Sequence, residues 1–206
     1  MEKPKSCIAG LKITLAALSA LAMTTASQAE VTALLSDAGT GRTLRNSPYS
    51  WGYAFTLSKD QILVSLGIYD NSNGGNGHVG DGLAEAHIVA LFDHSGEKIA
   101  EVTFAEGAAE ADEAGFIYAT PTLGAGITLL ANATYTLAAS KPTDADPFLW
   151  SDNPPENSPG TASGVTILGD RYGDLNADGT LKGVPTGTFK PGGAAVGPNL
   201  TFQAVP

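Results

Sequence analysis

No stretch beyond residue 30 carries the apolar period of an amphipathic helix. Short alternating or β-branched runs recur instead, each closed by Gly, Pro, Asn or Asp. The 206 residues include 25 Gly and 12 Pro, so the breaks come too often for long helices. The pattern predicts about ten strands. They are Val31–Leu35, Gly52–Leu57, Ile62–Tyr69, His87–Phe92, Lys98–Phe104, Phe116–Ala119, Ile127–Leu130, Thr134–Ser140, Thr161–Leu168 and Leu200–Ala204. That number and spacing fit an all-β, two-sheet β-sandwich, jelly-roll-like, with long loops. Ala105–Ala114 has helix-forming composition but no apolar stripe, and reads as an acidic surface loop.

The first 29 residues read as a signal peptide. Lys3, Lys5 and Lys12 precede the short apolar run Ile13–Met23, and Thr24–Ala29 closes with small residues. Cleavage after Ala29 leaves residues 30–206 as a single domain. The apolar run is too short for a stable membrane span, and no later run is long enough, so no span is expected in the mature chain. The single cysteine, Cys7, leaves with the leader. An exported chain without disulfides suits a bacterium better than an animal ectodomain. Cleavage removes three of eleven basic and one of twenty-one acidic residues, leaving 8 against 20 and a net charge of −12. Such an acid excess argues against a nucleic-acid partner, because phosphates need neutralising cations.

Function is expected on the long connections, since rigid sandwiches carry their variable chemistry there. In Asp70–Glu85, the oxygen donors Asp70, Asn73, Asp81 and Glu85 are interleaved with glycines that let a backbone fold tightly. Calcium takes six to eight such oxygens. The alternative is a solvated loop whose Asp and Asn side chains cap their own turns. Asp174, Asn176 and Asp178, with Gly179 at position six and Leu181 at position eight, make the front half of an EF-hand-type loop. Position twelve is Pro185, so a complete EF-hand is excluded. A weaker calcium site borrowing another acid, such as Asp170, or an Asx-rich turn are the readings left.

Glu85 and His87 are two apart and would share a strand face. Acid–base chemistry, metal binding, or a structural polar pair with the ring bonded to a neighbouring loop are the options. Trp51 and Trp150, with Tyr49, Tyr53 and Tyr172, could stack on sugar rings, whereas core packing is the commoner fate of such a stripe. No Ser-His-Asp set, nucleophile elbow, P-loop or dinucleotide fingerprint appears, so no enzyme activity is expected.

Several blocks together carry a family likeness: Gly52-Tyr-Ala-Phe-Thr-Leu57, Ile62-Leu-Val-Ser-Leu-Gly-Ile-Tyr-Asp70, Gly80-Asp-Gly-Leu-Ala-Glu-Ala-His-Ile-Val-Ala-Leu-Phe-Asp93, Gly96-Glu-Lys-Ile-Ala100, Gly115-Phe-Ile-Tyr118 and Leu129-Leu-Ala-Asn-Ala-Thr-Tyr-Thr-Leu137. Across residues 50–140 the chain resembles secreted bacterial β-sandwich domains of unknown function found in PEP-CTERM sorting-domain proteins. The ending Val196–Pro206 is similar to the segment before their sorting tail. The chain stops at Pro206, before such a tail, so the expectation is release without an anchor or loss of the last segment. The resemblance implies an exported protein of a Gram-negative bacterium that makes exopolysaccharide, with no established catalytic activity. The leading expectation is a non-catalytic secreted or cell-surface protein of the envelope or extracellular matrix. The second is a carbohydrate-binding module organised by Ca²⁺, with exopolysaccharide or cell-surface glycans as partners.

Overall fold

The computed structural model describes residues 30–35, 42–44, 48–70, 82–108, 115–146, 148–151, 160–188 and 194–206. The first strands are β1 Val31–Thr32, β2 Leu34–Leu35, β3 Arg42–Leu44, β4 Tyr49–Leu57 and β5 Gln61–Tyr69. Then come β6 His87–Phe92, β7 Lys98–Phe104, β8 Phe116–Ala119, β9 Thr128–Leu129 and β10 Thr134–Lys141. The last are β11 Phe148–Ser151, β12 Gly160–Thr161, β13 Val165–Asp174, β14 Ala194–Val196 and β15 Pro198–Ala204. No helix occurs among the described residues, so none there is long and apolar enough to cross a membrane.

Two five-stranded antiparallel sheets pack face to face as a β-sandwich. The first runs β1-β15-β5-β8, with β9 also on β5; the second runs β13-β4-β10-β6-β7. Period-two alternation puts Trp51, Tyr53, Phe55 and Leu57 of β4 in the core. Leu137 and Ala139 of β10 and Val89 and Leu91 of β6 join them from the same sheet. Leu63, Leu66 and Ile68 of β5 and Leu200 and Phe202 of β15 face them from the other. On the first sheet Ser65 and Thr201 hydroxyls lie 2.5 Å apart, and Thr201 donates to the Glu30 carboxylate.

Beyond shifts of one to three residues at strand ends, the strand pattern differs from the sequence reading in three places. Val31–Leu35 is two short strands, because Ala33 is buried and its amide bonds Leu200 while its carbonyl takes the Ala162 amide. Thr161–Leu168 is not one strand: Thr161 belongs to β12, a turn closed by the Val165 amide on the Ala162 carbonyl follows, and β13 starts at Val165 and runs past Leu168. A bulge between Ile167 and Gly169, where Gly169 takes φ 147°, lets β13 stay paired with β4 as far as Asp174. A third small sheet, β14-β11-β3, and a β12-β2 pair have no clear periodic signal, because short strands show too few residues to reveal one.

Register places four of the connections at one end. Tyr49 pairs with both Lys141 and Asp174, His87 with Phe104, and Tyr69 with Phe116. The links β5–β6, β7–β8, β10–β11 and β13–β14 therefore all leave from these strand ends. Short turns, Ser58–Asp60 and Asp93–Glu97, close the opposite end. After β13 the chain returns across the outer face of the second sheet. There Leu181 and Val184 cover Ala90, Phe92 and Ala138.

The Asp93 turn yields a pH prediction. Asp93 Oδ1 accepts the Ser95 amide at 2.8 Å, the Ser95 hydroxyl at 2.7 Å and the Glu97 amide at 3.0 Å. The Ser95 hydroxyl chiefly lowers the Asp93 carboxyl below its ordinary value; slight desolvation opposes it, and the Glu97 and Ser95 amides and His94 add to the lowering. A lowered folded value means the turn contributes its full stability above the unfolded carboxylate value of about 3.9. That contribution is lost as pH falls through the lower folded value. A carboxyl-carbon NMR titration should put the Asp93 midpoint below that of an unstructured aspartate. A midpoint at or above it would refute the capping.

Candidate functional site

At the loop-bearing end, three strand ends and two connections meet around His87. The imidazole is fully buried and opens the inward face of β6, followed by Val89 and Leu91. A buried ring nitrogen needs a partner, and both have one. Nδ1 lies 2.7 Å from the Ser140 carbonyl oxygen, and Nε2 lies 2.9 Å from Asp146 Oδ2. The ring also packs on Phe148, with centroids 5.8 Å apart.

Asp146, 5 % exposed, ties the β10–β11 connection back to the residues before β6. Its Oδ1 accepts the Ala84 amide and its Oδ2 the Glu85 amide, each at 3.0 Å. Burial by itself pushes this carboxyl up. The hydrogen bond shared with His87, the Ala84 amide, the attraction of the ring and the Glu85 amide together hold it below the ordinary carboxylate value. Glu85 lies in the bend before β6, half-buried, and its Oε1 accepts the Thr143 amide at 3.0 Å. Lys141 shapes the intervening chain. Its fully buried ammonium donates to the Thr143 carbonyl at 2.9 Å and pairs with Asp144, so residues 141–146 curl around it and return Asp146 to His87. Ile88 is fixed as well, its amide bonding the Ser140 hydroxyl at 2.8 Å.

Neighbouring connections are zipped in the same way. Leu83 and the segment Gly107–Ala108 exchange backbone hydrogen bonds of 2.7 and 2.9 Å, and the Asp70 amide bonds the Gly115 carbonyl at 2.9 Å. Phe148 is seated by a close backbone approach: a Cβ at Gly197 would lie 2.3 Å from its ring. Gly197→Ala should therefore displace Phe148 from His87 and cost about 1–3 kcal/mol as overpacking. Urea denaturation checks this, and an unchanged midpoint would mean that Phe148 is not locked.

The residues singled out from sequence are dispersed. Glu85 and His87 do not share a strand face, because β6 starts at His87. They nevertheless converge on one loop, Thr143–Asp146. Asp70 is 1 % exposed at the end of β5; Asn73 and Asp81 lie outside the described residues. Asp174 ends β13, paired with Tyr49. Asn176 and Asp178 bond within their own turn: the Asn176 amide group donates to the Thr180 hydroxyl at 2.9 Å, and Asp178 Oδ1 accepts the Thr180 amide and hydroxyl at 3.0 and 2.6 Å. The Thr180 hydroxyl chiefly lowers the Asp178 carboxyl. Among the described residues, three His, Asp or Glu side chains approach to within metal-ligand reach only at Glu85, His87 and Asp146.

Trp51 is 1 % exposed and sits between Tyr172 at 5.5 Å and Tyr49 at 6.1 Å, which places its ring in the core and not on a sugar-stacking surface. Trp150 lies in β11, its backbone paired with Ala195 and Arg42; its side chain is outside the described residues. Sequence reasoning missed Asp146, Ser140 and Lys141. The available signal was that a buried histidine opening a strand demands acceptors that its own segment lacks, but nothing local named the donor loop.

The fold and this cluster define an antiparallel β-sandwich whose loop-bearing end is cross-pinned by buried His87 and Asp146 and half-buried Glu85. No family model matches the chain, and no curated protein matches it.

Proposed function

We propose that this chain is a non-catalytic, exported β-sandwich of the bacterial envelope or extracellular matrix that presents its loop-bearing end to exopolysaccharide or cell-surface glycans. The observation that carries the reading is the gathering of four connections at one end, where buried hydrogen bonds hold two of them together. Rigid frames with loops at one end are a common design for recognition. The acid–base groups there are spent on structure: both His87 ring nitrogens and both Asp146 oxygens have partners inside the protein. The leader-like first 29 residues and the likeness to secreted sandwich domains of PEP-CTERM proteins support export.

Expressed with its leader in a Gram-negative host, the protein should leave the cytosol and begin at Glu30. The purified product should co-sediment with exopolysaccharide-coated cells and release no reducing sugar from a polysaccharide panel. Cytosolic retention with Met1–Ala29 attached, or cleavage of any polysaccharide, would overturn the reading.

A calcium-organised carbohydrate-binding module is the second reading. Asp70, buried at the base of the oxygen-rich β5–β6 connection, favours it. A glycan array run with chelator and with added calcium separates the two. Binding that depends on calcium supports the second reading, and calcium-independent binding removes it.

A further inference from the structure

We propose that Glu85, His87 and Asp146 form a binding site for a first-row divalent transition metal of the zinc type, which clips the β10–β11 connection to the strand end of β6. One ligand atom from each of the three side chains lies within 4.8 Å of the other two. Their chemistry, one imidazole nitrogen and two carboxylates, selects zinc-like ions over calcium, which takes oxygens alone.

The second observation is how the buried ring is held. The Ser140 carbonyl can only accept, so His87 Nδ1 donates to it at 2.7 Å. On the other side Nε2 and Asp146 Oδ2 share a buried hydrogen bond of 2.9 Å. A divalent cation would take the place of the proton between those two atoms, with the Glu85 carboxylate as the third ligand. The nearby Lys141 ammonium is committed to Asp144 and the Thr143 carbonyl.

The surroundings match what a metal ligand set needs. A ligating histidine commonly donates its other N–H to a carbonyl, which fixes the tautomer and turns the free nitrogen toward the ion. Ser140 does this here. The Ala84 and Glu85 amides orient Asp146, the Thr143 amide orients Glu85, and Phe148 closes the apolar side. Tetrahedral bonds of about 2.1 Å put ligand atoms roughly 3.4 Å apart. The Asp146 oxygen therefore needs to move outward by about 0.5 Å, and the Glu85 carboxylate, within 4.8 Å of the other two ligand atoms, needs to close in on them. Three protein ligands leave one position for water.

The test uses the processed protein, stripped with chelator and dialysed against one equivalent of zinc. One zinc per chain should be retained, and the melting temperature should rise by several degrees. Cobalt should give the visible bands of a tetrahedral site. Ring-nitrogen NMR should show the His87 Nε2 resonance move on zinc addition while Nδ1 keeps its proton. Glu85→Gln keeps an oxygen for the Thr143 amide and removes only the charge. It should weaken zinc at least about tenfold, the scale typical of lost metal-site contacts, with the metal-free melting temperature nearly unchanged. His87→Gln should abolish binding; if that variant fails to fold, Glu85→Gln and the NMR readout still decide. No retained zinc would overturn the proposal. So would zinc binding indifferent to Glu85→Gln, or displacement of zinc by equimolar calcium. None of these readouts depends on glycan binding, so this proposal and the recognition reading can fail separately.

Discussion

Asp146→Ala should destabilise the metal-free protein by about 3 kcal/mol. The substitution strips the acceptor from the Ala84 and Glu85 amides and from His87 Nε2 in one step. Each buried polar group left without a partner costs about 1–3 kcal/mol. The half-buried position of Glu85 lets water recover part of the loss at its amide. For a domain of this size 1 kcal/mol corresponds to about 2–4 °C, so the melting temperature should fall by roughly 6–12 °C. Asp146→Asn keeps one oxygen acceptor and should lose only about a third as much. The direct local readout is hydrogen exchange at the Ala84 and Glu85 amides, which should speed up in the alanine variant before the β4 and β10 core amides change. A fall of less than about 2 °C with unchanged exchange would mean that the pin contributes nothing to holding the loop ends.

Trp51→Ala should cost about 3–5 kcal/mol, the range for truncating a large aromatic in a packed core. The ring is 1 % exposed and meets Tyr172 at 5.5 Å and Tyr49 edge-on at 6.1 Å, so its removal leaves a void between β4 and β13. Trp51→Phe should retain most of the stability, because it fills part of the same volume. Fluorescence separates core from surface: the signal lost in Trp51→Phe should be blue-shifted and resistant to iodide quenching. A Trp51→Ala protein that melts at the wild-type temperature but loses glycan binding would reverse the assignment and make Trp51 a sugar platform.

The legibility of the chain varied with how local the deciding interactions are. β6, β7 and β8 begin and end where alternation and flanking glycine or aspartate place them, because a half-buried strand writes its period into adjacent residues. β13 read short, since Gly169-Asp-Arg looks like a break; the bulge that keeps it paired exists only opposite β4. β3, β11 and β14 are three to four residues long and hold together by pairing with one another, so no internal period marks them. The Asp178 turn could be read as a self-capping Asx turn from its own residues, and its bonds to Thr180 are within two positions.

The cluster at His87 shows the other extreme. Local composition was enough to single out Glu85 and His87 as polar residues beside a strand, to expect a sandwich, and to site the long connections, because residue type and spacing act on the nearest neighbours along the chain. Asp146 lies 59 residues from His87, and the Ser140 carbonyl 53. Their partnership arises only when β10 pairs with β6 and Lys141 bends the following residues back. The energy of such a contact is a property of two strand ends brought side by side and shielded from water. It therefore leaves no mark on either segment read alone.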